Sequence, residues 1–459
     1  MKGYYQYAAD VRDGKIVVGE FIKQAVERFY VLFERDDIDF RENRADYAIE
    51  FISLLRHYTG RHAGKSFTLL PWQEFAVASI YGFYKKDEDG SWCRLVSFVY
   101  IEMARKNGKS AFAAALCLYH LIADGESAAE VYLAANSKDQ AKVSFTMCRN
   151  FVSGLDPKHR YLVSFRDQIN FDKTLSFLKV LAADSSKLDG PNPSMFLLDE
   201  YHAAKNSGLK DVLQSGQGMR DDPMSIIITT AGFDKLGPCY QFREMCTEVL
   251  KGLKEDDTLF ALIYALDEGD DWKNEKVWGK SNPNLGVTVK PKYLREQVQK
   301  AINSPSEEVG IKTKNINMWC DAETVWIPDH YILNASANLD FEQFRDIVFI
   351  QKVAYDAWNA TQFVINATDQ GLPMEEFSQA LGNFNRPTKE MERLLLSGRA
   401  VIDNNVINRH CFRNVIMARD RNGNTKPSKQ FEEKKIDGVI AKLEALGIYL
   451  MSPRYGEFY

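Results

Sequence analysis

Most of the features that would assign this chain of 459 residues at a glance are missing from it. Its seven cysteines (Cys93, Cys117, Cys148, Cys239, Cys246, Cys320 and Cys411) are scattered and odd in number, with no CxxC pair and no Cys/His cluster. That pattern supports neither a disulfide framework nor a zinc site, and reduced thiols in a cytoplasm-like compartment are expected. The opening MKGYYQYAADVRDGK has no apolar signal core, and no run approaches the ~18 apolar residues of a membrane span. A soluble intracellular protein with no membrane partner is therefore expected. Internal repeats and low-complexity tracts are absent. So is an excess of positive charge: the net charge of −5 argues against a protein that coats nucleic acid generally, though not against a local basic groove. What is left is the composition of an ordinary globular protein, 45% hydrophobic and 26% charged. The length suits roughly two to three domains.

From Val18 to about Leu55 the apolar residues fall at helical spacing (Ile22, Ala25, Val26, Phe29; then Ala48, Phe51, Ile52, Leu55), and Gly60 stops the second set. From Arg94 to about Asp267 the texture changes to short apolar runs: Val96–Ile101, Val131–Ala135, Phe177–Ala182, Phe196–Leu198, Ile226–Thr230 and Leu259–Leu266. Such runs, separated by crossover-length segments, predict a mostly parallel sheet covered on both faces. The polar stretch LDEGDDWKNEKVWGKSNPNLG then lies outside the sheet, a helix follows around Tyr293–Ile302, and a second α/β region runs from about Phe341.

Gly-Lys-Ser, the end of a phosphate-binding loop, occurs twice. A phosphate loop needs a buried strand, a tight turn of backbone N–H groups, a lysine, and Ser or Thr opening a helix. The copy at Gly64 follows a helix rather than a strand, and only three residues separate Gly60 from Gly64 where the pattern has four, so it reads as a turn. The copy at Gly108 has the strand Val96–Ile101 before it and an Ala/Leu helix from Ala111 after it. Its one defect is Met103, in the place of the first glycine. Ninety residues beyond Lys109, the strand SMFLLDE ends in Asp199-Glu200. That pair suits a metal-shell aspartate and a glutamate that activates water. SIIITTAG supplies another buried strand, ending in Thr229 and Thr230.

Taken together, ARKNGKS, VYLAANSKDQA, LDGPNPSMFLLDEYHAAK and MRDDPMSIIITTAG resemble the terminase large subunit of tailed bacteriophages, as do GRHAGKSFTLLPWQEFAVASIYGFY upstream and TKNINMWCDAETVWIP downstream. The resemblance covers most of residues 45–330. It implies an α/β fold, with a P-loop ATPase followed by a ribonuclease H-like nuclease. The expected layout is a helical segment at 1–60, the motor domain at 61–305, a connector at 306–335 and the nuclease at 336–459. By position, Lys106, Asn107, Gly108, Lys109 and Ser110 would hold the phosphates of ATP, with Ser110 and Asp199 holding Mg²⁺. Glu200 would act on water, Arg105 would lie near the γ-phosphate, Gln73 beside the adenine, and Thr229 and Thr230 would couple hydrolysis to movement. The implied partners are double-stranded DNA held through its phosphates, a terminase small subunit, a portal ring and further copies of the chain in a ring. The implied place is the cytoplasm of an infected bacterium.

Two pieces of the nuclease are legible: VAYDAW, a strand ending in Asp356, and KKIDGVIAKLEALG, a helix opening at Asp437. Both acids would bind Mg²⁺ or Mn²⁺. On that helix Ile436, Val439, Ile440, Leu443 and Leu446 form the apolar stripe, which puts Asp437 beside the buried face. The family's first acidic strand is missing. Only 29 residues separate Trp326 from Asp356, and Asp340 and Asp346 stand in the wrong context. A weak or absent nuclease is expected unless another acid substitutes. The lysines Lys426, Lys429, Lys434 and Lys435 could face DNA or simply water. The competing readings are a helicase-like DNA-translocating ATPase without nuclease, and a degenerate non-enzymatic assembly protein.

Overall fold

The computed structural model describes residues 2–58, 63–135, 137–181, 190–303, 305–320, 326–327, 329–340, 342, 351–357, 360–419, 424–429 and 435–451. Gly60, Ala182, Phe341, Asp346 and Lys434 from the sequence analysis lie outside them. The chain divides into two compact units, 1–298 with 311–321, and 299–310 with 322–459.

The first unit opens with α1 (Gly3–Arg12), α2 (Glu20–Phe33), β1 (Ile38–Phe40), α3 (Glu42–Leu54), α4 (Pro71–Gly82), β2 (Phe83–Lys86) and β3 (Trp92–Arg94). The helical spacing read from the sequence is the buried face of α2, where Ile22, Ala25, Val26, Phe29 and Leu32 are all covered. These first helices share one hydrophobic core with the rest of the unit. At the other GKS copy Gly64 is left-handed (φ 79°), its N–H donates to the His57 carbonyl (2.7 Å), and Arg56 and Ser66 form an isolated antiparallel bridge.

Next come β4 (Phe98–Glu102), α5 (Lys109–Ile122), β5 (Glu130–Ala135), α6 (Lys138–Leu155), β6 (Leu162–Ser164), β7 (Gln168–Phe171), β8 (Ser176–Leu181), β9 (Met195–Asp199), α7 (Gly208–Ser215), β10 (Met224–Thr229), α8 (Pro238–Leu250) and β11 (Leu259–Ile263). Among the described residues eight strands form one sheet in the order β11-β4-β10-β9-β5-β8-β7-β6. The first six are parallel, and every residue of β9 and β10 is buried, as continuous apolar runs require. β7 and β6 extend the edge antiparallel. Their four and three residues, interrupted by polar ones, carry no apolar run for sequence reasoning to find.

The helices α9 (Pro291–Asn303) and α10 (Pro305–Ile316) are divided between the two units. The second unit contains α11 (Asp329–Ala335), β12 (Ser336–Ala337), β13 (Val353–Tyr355), α12 (Thr361–Asp369), β14 (Met374–Glu376), α13 (Leu381–Leu396), β15 (Ile402–Asp403), α14 (Val406–Asn414), β16 (Val415–Arg419), β17 (Thr425–Lys429) and α15 (Asp437–Met451). Its described strands pair two by two: β12 with β15 and β13 with β14 in parallel, β16 with β17 antiparallel. They pack on a separate core that includes Trp326, Phe377, Phe384, Phe412, Val439 and Leu443.

Candidate functional site

The parallel strands fix the site by register. In the sheet β10 lies between β4 and β9, with Thr229 opposite Glu102 and Ile228 opposite Asp199. The threonines at the end of β10 therefore sit between the loop that follows β4 and the acids that end β9.

That loop, residues 103–108, turns through two left-handed residues, Lys106 (φ 68°) and Gly108 (φ 79°). Met103, in the place of the missing glycine, is fully buried and belongs to the hydrophobic core. The loop's shape is held instead by buried amides. Asn107 Nδ2 donates to the carbonyls of Ala104 (3.1 Å) and Arg105 (3.2 Å) and to Asn282 Oδ1 (2.8 Å). Asn107 Oδ1 accepts from the backbone N–H of Asn284 (3.0 Å), and Asn284 Nδ2 donates to the Asn107 carbonyl (2.9 Å). Trp72 Nε1 in turn donates to Asn284 Oδ1 (2.6 Å), and Thr288 Oγ1 to the Lys106 carbonyl (2.7 Å). The sequence analysis set the SNPN segment outside the sheet, where it lies, but gave it no part in the site. Gln73, next to Trp72, is buried and caps α4 by accepting from the Leu70 N–H (2.9 Å).

Lys109 opens α5, and its Nζ donates back to the carbonyls of Met103 (2.8 Å) and Ala104 (3.3 Å). Burial lowers its pKa to about 8, with the Glu200 and Asp199 charges limiting the fall. Ser110 is half-buried in the same turn, and Arg105 and Lys106 are exposed. Asp199 is buried. Its Oδ2 accepts from Ser144 Oγ of α6 (2.5 Å), while Oδ1 is buried without a hydrogen-bond partner. Burial raises its pKa to about 6, the Glu200 charge adding to the effect and the Ser144 bond opposing it. Glu200 takes a left-handed backbone (φ 54°), the kind of strained position that gathers at functional sites. Burial would push its carboxyl up, but the His202 hydrogen bond and the Lys109, His202 and Arg105 charges outweigh it and hold the pKa at about 2. Over these acids opens a cavity of about 180 Å³, lined by Ala135, Tyr201, Lys205 and Asn206 among others. Thr229 and Thr230 are buried beside them, with Thr230 Oγ1 3.5 Å from Glu200 Oε2.

Below this, Glu102 at the end of β4 is a fully buried carboxylate with four donors: Tyr100 Oη (2.7 Å), Arg243 Nε (3.1 Å to Oε2), Asn317 Nδ2 (3.1 Å) and Trp319 Nε1 (3.2 Å). Asn317 Oδ1 also accepts from the N–H of Ala231 (2.7 Å), just beyond the two threonines.

In the second unit Asp356 is half-buried at the end of β13. Asp437, expected beside the buried face of α15, is exposed, because the first residue of a helix has no preceding turn to cover it. The buried acid of that helix is Glu444, which accepts from Gln379 Nε2 (2.9 Å). Burial raises its pKa, and the charge of Asp356 raises it further. Among the described residues of the chain no three His, Cys, Asp or Glu side chains converge on a metal-sized point.

A loop between a buried parallel strand and a helix, with two acids at the end of the next strand but one, is the arrangement of a P-loop nucleoside triphosphatase, and that is the class of the first unit. Its family is given by comparison with known proteins. A model of the terminase large subunit ATPase domain matches residues 71–248, and one of the terminase large subunit endonuclease domain matches 254–339 and 333–453. The chain belongs to the terminase large subunit family, and is an ATPase of that family with a nuclease-type second domain. Its relatives include protein YmfN of Escherichia coli K12, 27% identical over 355 residues that cover 56% of this chain and 78% of YmfN. The terminase large subunit of Enterobacteria phage HK97 is 21% identical over 478 residues (84% and 92%). That of Lactococcus phage p2 is 23% identical over 302 residues, covering 64% of this chain but only 55% of the phage protein. In fold the chain is similar to the crystal structure of the HK97 bacteriophage large terminase, with a TM-score of 0.52 and 19% identity over 88% of this chain and 99% of that one.

Proposed function

We propose that this chain is the motor of a phage DNA-packaging machine, using ATP hydrolysis to drive double-stranded DNA into a procapsid. The observation that carries the reading is the convergence of Lys109, at the start of α5, with the unpartnered Asp199 Oδ1 and Glu200 at the end of β9, whose charges act on the lysine. Lys109 would exchange two backbone carbonyls for the β- and γ-phosphates. Loop N–H groups from Lys106 to Ser110 would cradle those phosphates. Arg105, exposed at the loop's rim, would meet the γ-phosphate, and Gln73 the adenine. Ser110 and Asp199 offer the oxygen donors that Mg²⁺ takes, and the ion would neutralise phosphate charge there. Glu200, ionised throughout the neutral range, would orient and deprotonate the attacking water, and Thr229 and Thr230 would sense the γ-phosphate.

The DNA would be gripped through its phosphates, with little sequence preference and steep salt dependence. Selection of viral DNA would fall to a small subunit, and docking to a portal ring, the motor acting as a ring of copies in the host cytoplasm. Cutting by the second unit would be weak or absent. The endonuclease match breaks into two pieces that meet at 333–339. The HK97 alignment spans 478 positions although only 84% of this chain takes part, so it opens gaps in this chain. The break supports a domain that has lost a segment, and the gaps fit a chain that is shorter in places than its HK97 relative. Asp356 and Asp437 would be what is left of its metal site, with Glu444 the acid best placed to substitute.

The test is DNA-stimulated ATP hydrolysis by the full chain. Glu200→Gln should abolish turnover and leave ADP binding intact, and wild-type turnover in that variant would sink the motor assignment. Supercoiled plasmid with Mg²⁺ or Mn²⁺ tests the other half. Rapid cutting that Asp356→Ala abolishes would show that the shortened domain is still a nuclease.

A further inference from the structure

His202, three residues past Asp199, is assigned no part in the reading above, yet it stands in the middle of the site. Its Nδ1 lies 3.1 Å from Glu200 Oε2, 3.1 Å from Thr229 Oγ1 and 3.4 Å from Thr230 Oγ1. Its backbone N–H donates to Thr229 Oγ1 (3.0 Å). A carboxylate can only accept, so the close approach to Glu200 requires that Nδ1 carry a hydrogen. One hydrogen thus has three acceptors within reach, one on the acid that would activate water and two on the strand that would sense the γ-phosphate. Thr229 Oγ1 already donates to the Thr230 carbonyl (2.9 Å) and Thr230 Oγ1 to the Ala231 carbonyl (3.1 Å), which leaves both oxygens able to accept. The imidazole has little freedom to wander. Its side chain is 15% exposed, and a Cβ added at Gly232 would stand 3.0 Å from His202 Cβ.

We propose that His202 is a positioning residue: it fixes the Glu200 carboxylate through its Nδ1 hydrogen and passes that hydrogen bond to the Thr229–Thr230 pair when the γ-phosphate binds. No bond to hydrogen is broken; the N–H changes acceptor. The carboxylate is released toward the water only when the threonines have engaged the phosphate, which ties hydrolysis to a correctly seated nucleotide. This rests on the reading of Glu200 as the group that activates water.

Two variants of the full chain test it. His202→Leu keeps the volume and removes the donor; His202→Asn keeps an N–H near the place of Nδ1. Leu should lower the kcat of ATP hydrolysis roughly 10–100-fold, as misplacement of a catalytic group does, with KM for ATP and affinity for a fluorescent ADP analogue within about twofold. Asn should recover kcat to within about threefold of wild type. Wild-type kcat in the Leu variant would overturn the proposal, as would an Asn variant that binds ADP normally and turns over no faster than Leu. If Leu fails to bind ADP, the Asn variant alone decides: a kcat within about threefold of wild type supports the proposal, and a loss of about tenfold or more with normal ADP binding overturns it. Glu200→Gln measured alongside separates the two ideas, since full activity there would remove the underlying reading whatever His202 does.

Discussion

Asn284→Ala would remove the outer half of the amide bracket around the phosphate loop without touching the loop itself. Two buried groups would be orphaned: the indole N–H of Trp72, now 2.6 Å from Asn284 Oδ1, and the Asn107 carbonyl, now 2.9 Å from Asn284 Nδ2. Asn107, Asn284 and Trp72 are all at most 3% exposed, so water does not replace the lost partner without rearrangement. An orphaned buried group costs about 1–3 kcal/mol, and the pair together about 2–6 kcal/mol. The loop already holds left-handed backbone at Lys106 and Gly108. Its cheapest response is therefore local, by loosening, and a nucleotide would then have to restore the shape. If about 2 kcal/mol falls on that step, the ADP dissociation constant should rise about thirtyfold. Titration of the full chain with a fluorescent ADP analogue measures it, with thermal melting in parallel. A lowered Tm with unchanged ADP affinity would refute the reasoning, because the bracket would then support the fold and not the loop.

Met103→Gly should not repair the loop. The side chain is core, and its loss should cost about 2–5 kcal/mol or more, read as a lower Tm with no tighter ADP binding; tighter binding at unchanged Tm would contradict this. Gly232→Ala would place a methyl 2.9 Å from the Trp319 ring. That should cost about 1–3 kcal/mol in urea denaturation, and an unshifted curve would count against the packing described. Acid stability should depend on Asp124, which accepts from Arg94 (3.0 Å) and lies 2.8 Å from His120 Nδ1. Burial would raise its pKa, but the Arg94 and His120 charges win and hold it well below the usual carboxylate range. A depressed folded-state pKa gives stability that is present above the unfolded value of about 4 and lost as pH falls below it. The urea midpoint should therefore fall more steeply between pH 5 and 3 in wild type than in Asp124→Asn. Equal slopes would exclude Asp124 as the group responsible.

The sequence made the parallel strands legible because both their faces are buried, so each reads as an unbroken apolar run. The setting of the 103–108 loop was legible from its neighbours: a strand before it, an alanine-rich helix after it, and Asp199-Glu200 at the end of a second strand. The amide bracket was not. Asn282 and Asn284 meet Asn107 across 175 and 177 residues, and hydrogen-bonded amides leave no periodicity in a sequence. His202 was hidden in another way, since a single histidine after an acidic pair acquires meaning only once β10 is placed beside β9. On α15 the helical period pointed to Asp437 and passed over Glu444, which reads as a solvated glutamate until its burial is seen. Periodicity describes the middle of a helix well and its first residue poorly.

The Glu102 cluster has a consequence for how the first unit ends. Asn317 and Trp319 hold the carboxylate at the foot of the phosphate loop, and the Cys320 N–H donates to the Gly232 carbonyl (3.2 Å) in the turn that follows the two threonines. These are also the last residues of the first unit before the chain enters the second. The chain's way out of the first unit is therefore pinned to the ends of two neighbouring strands, β4 through Glu102 and β10 through Gly232.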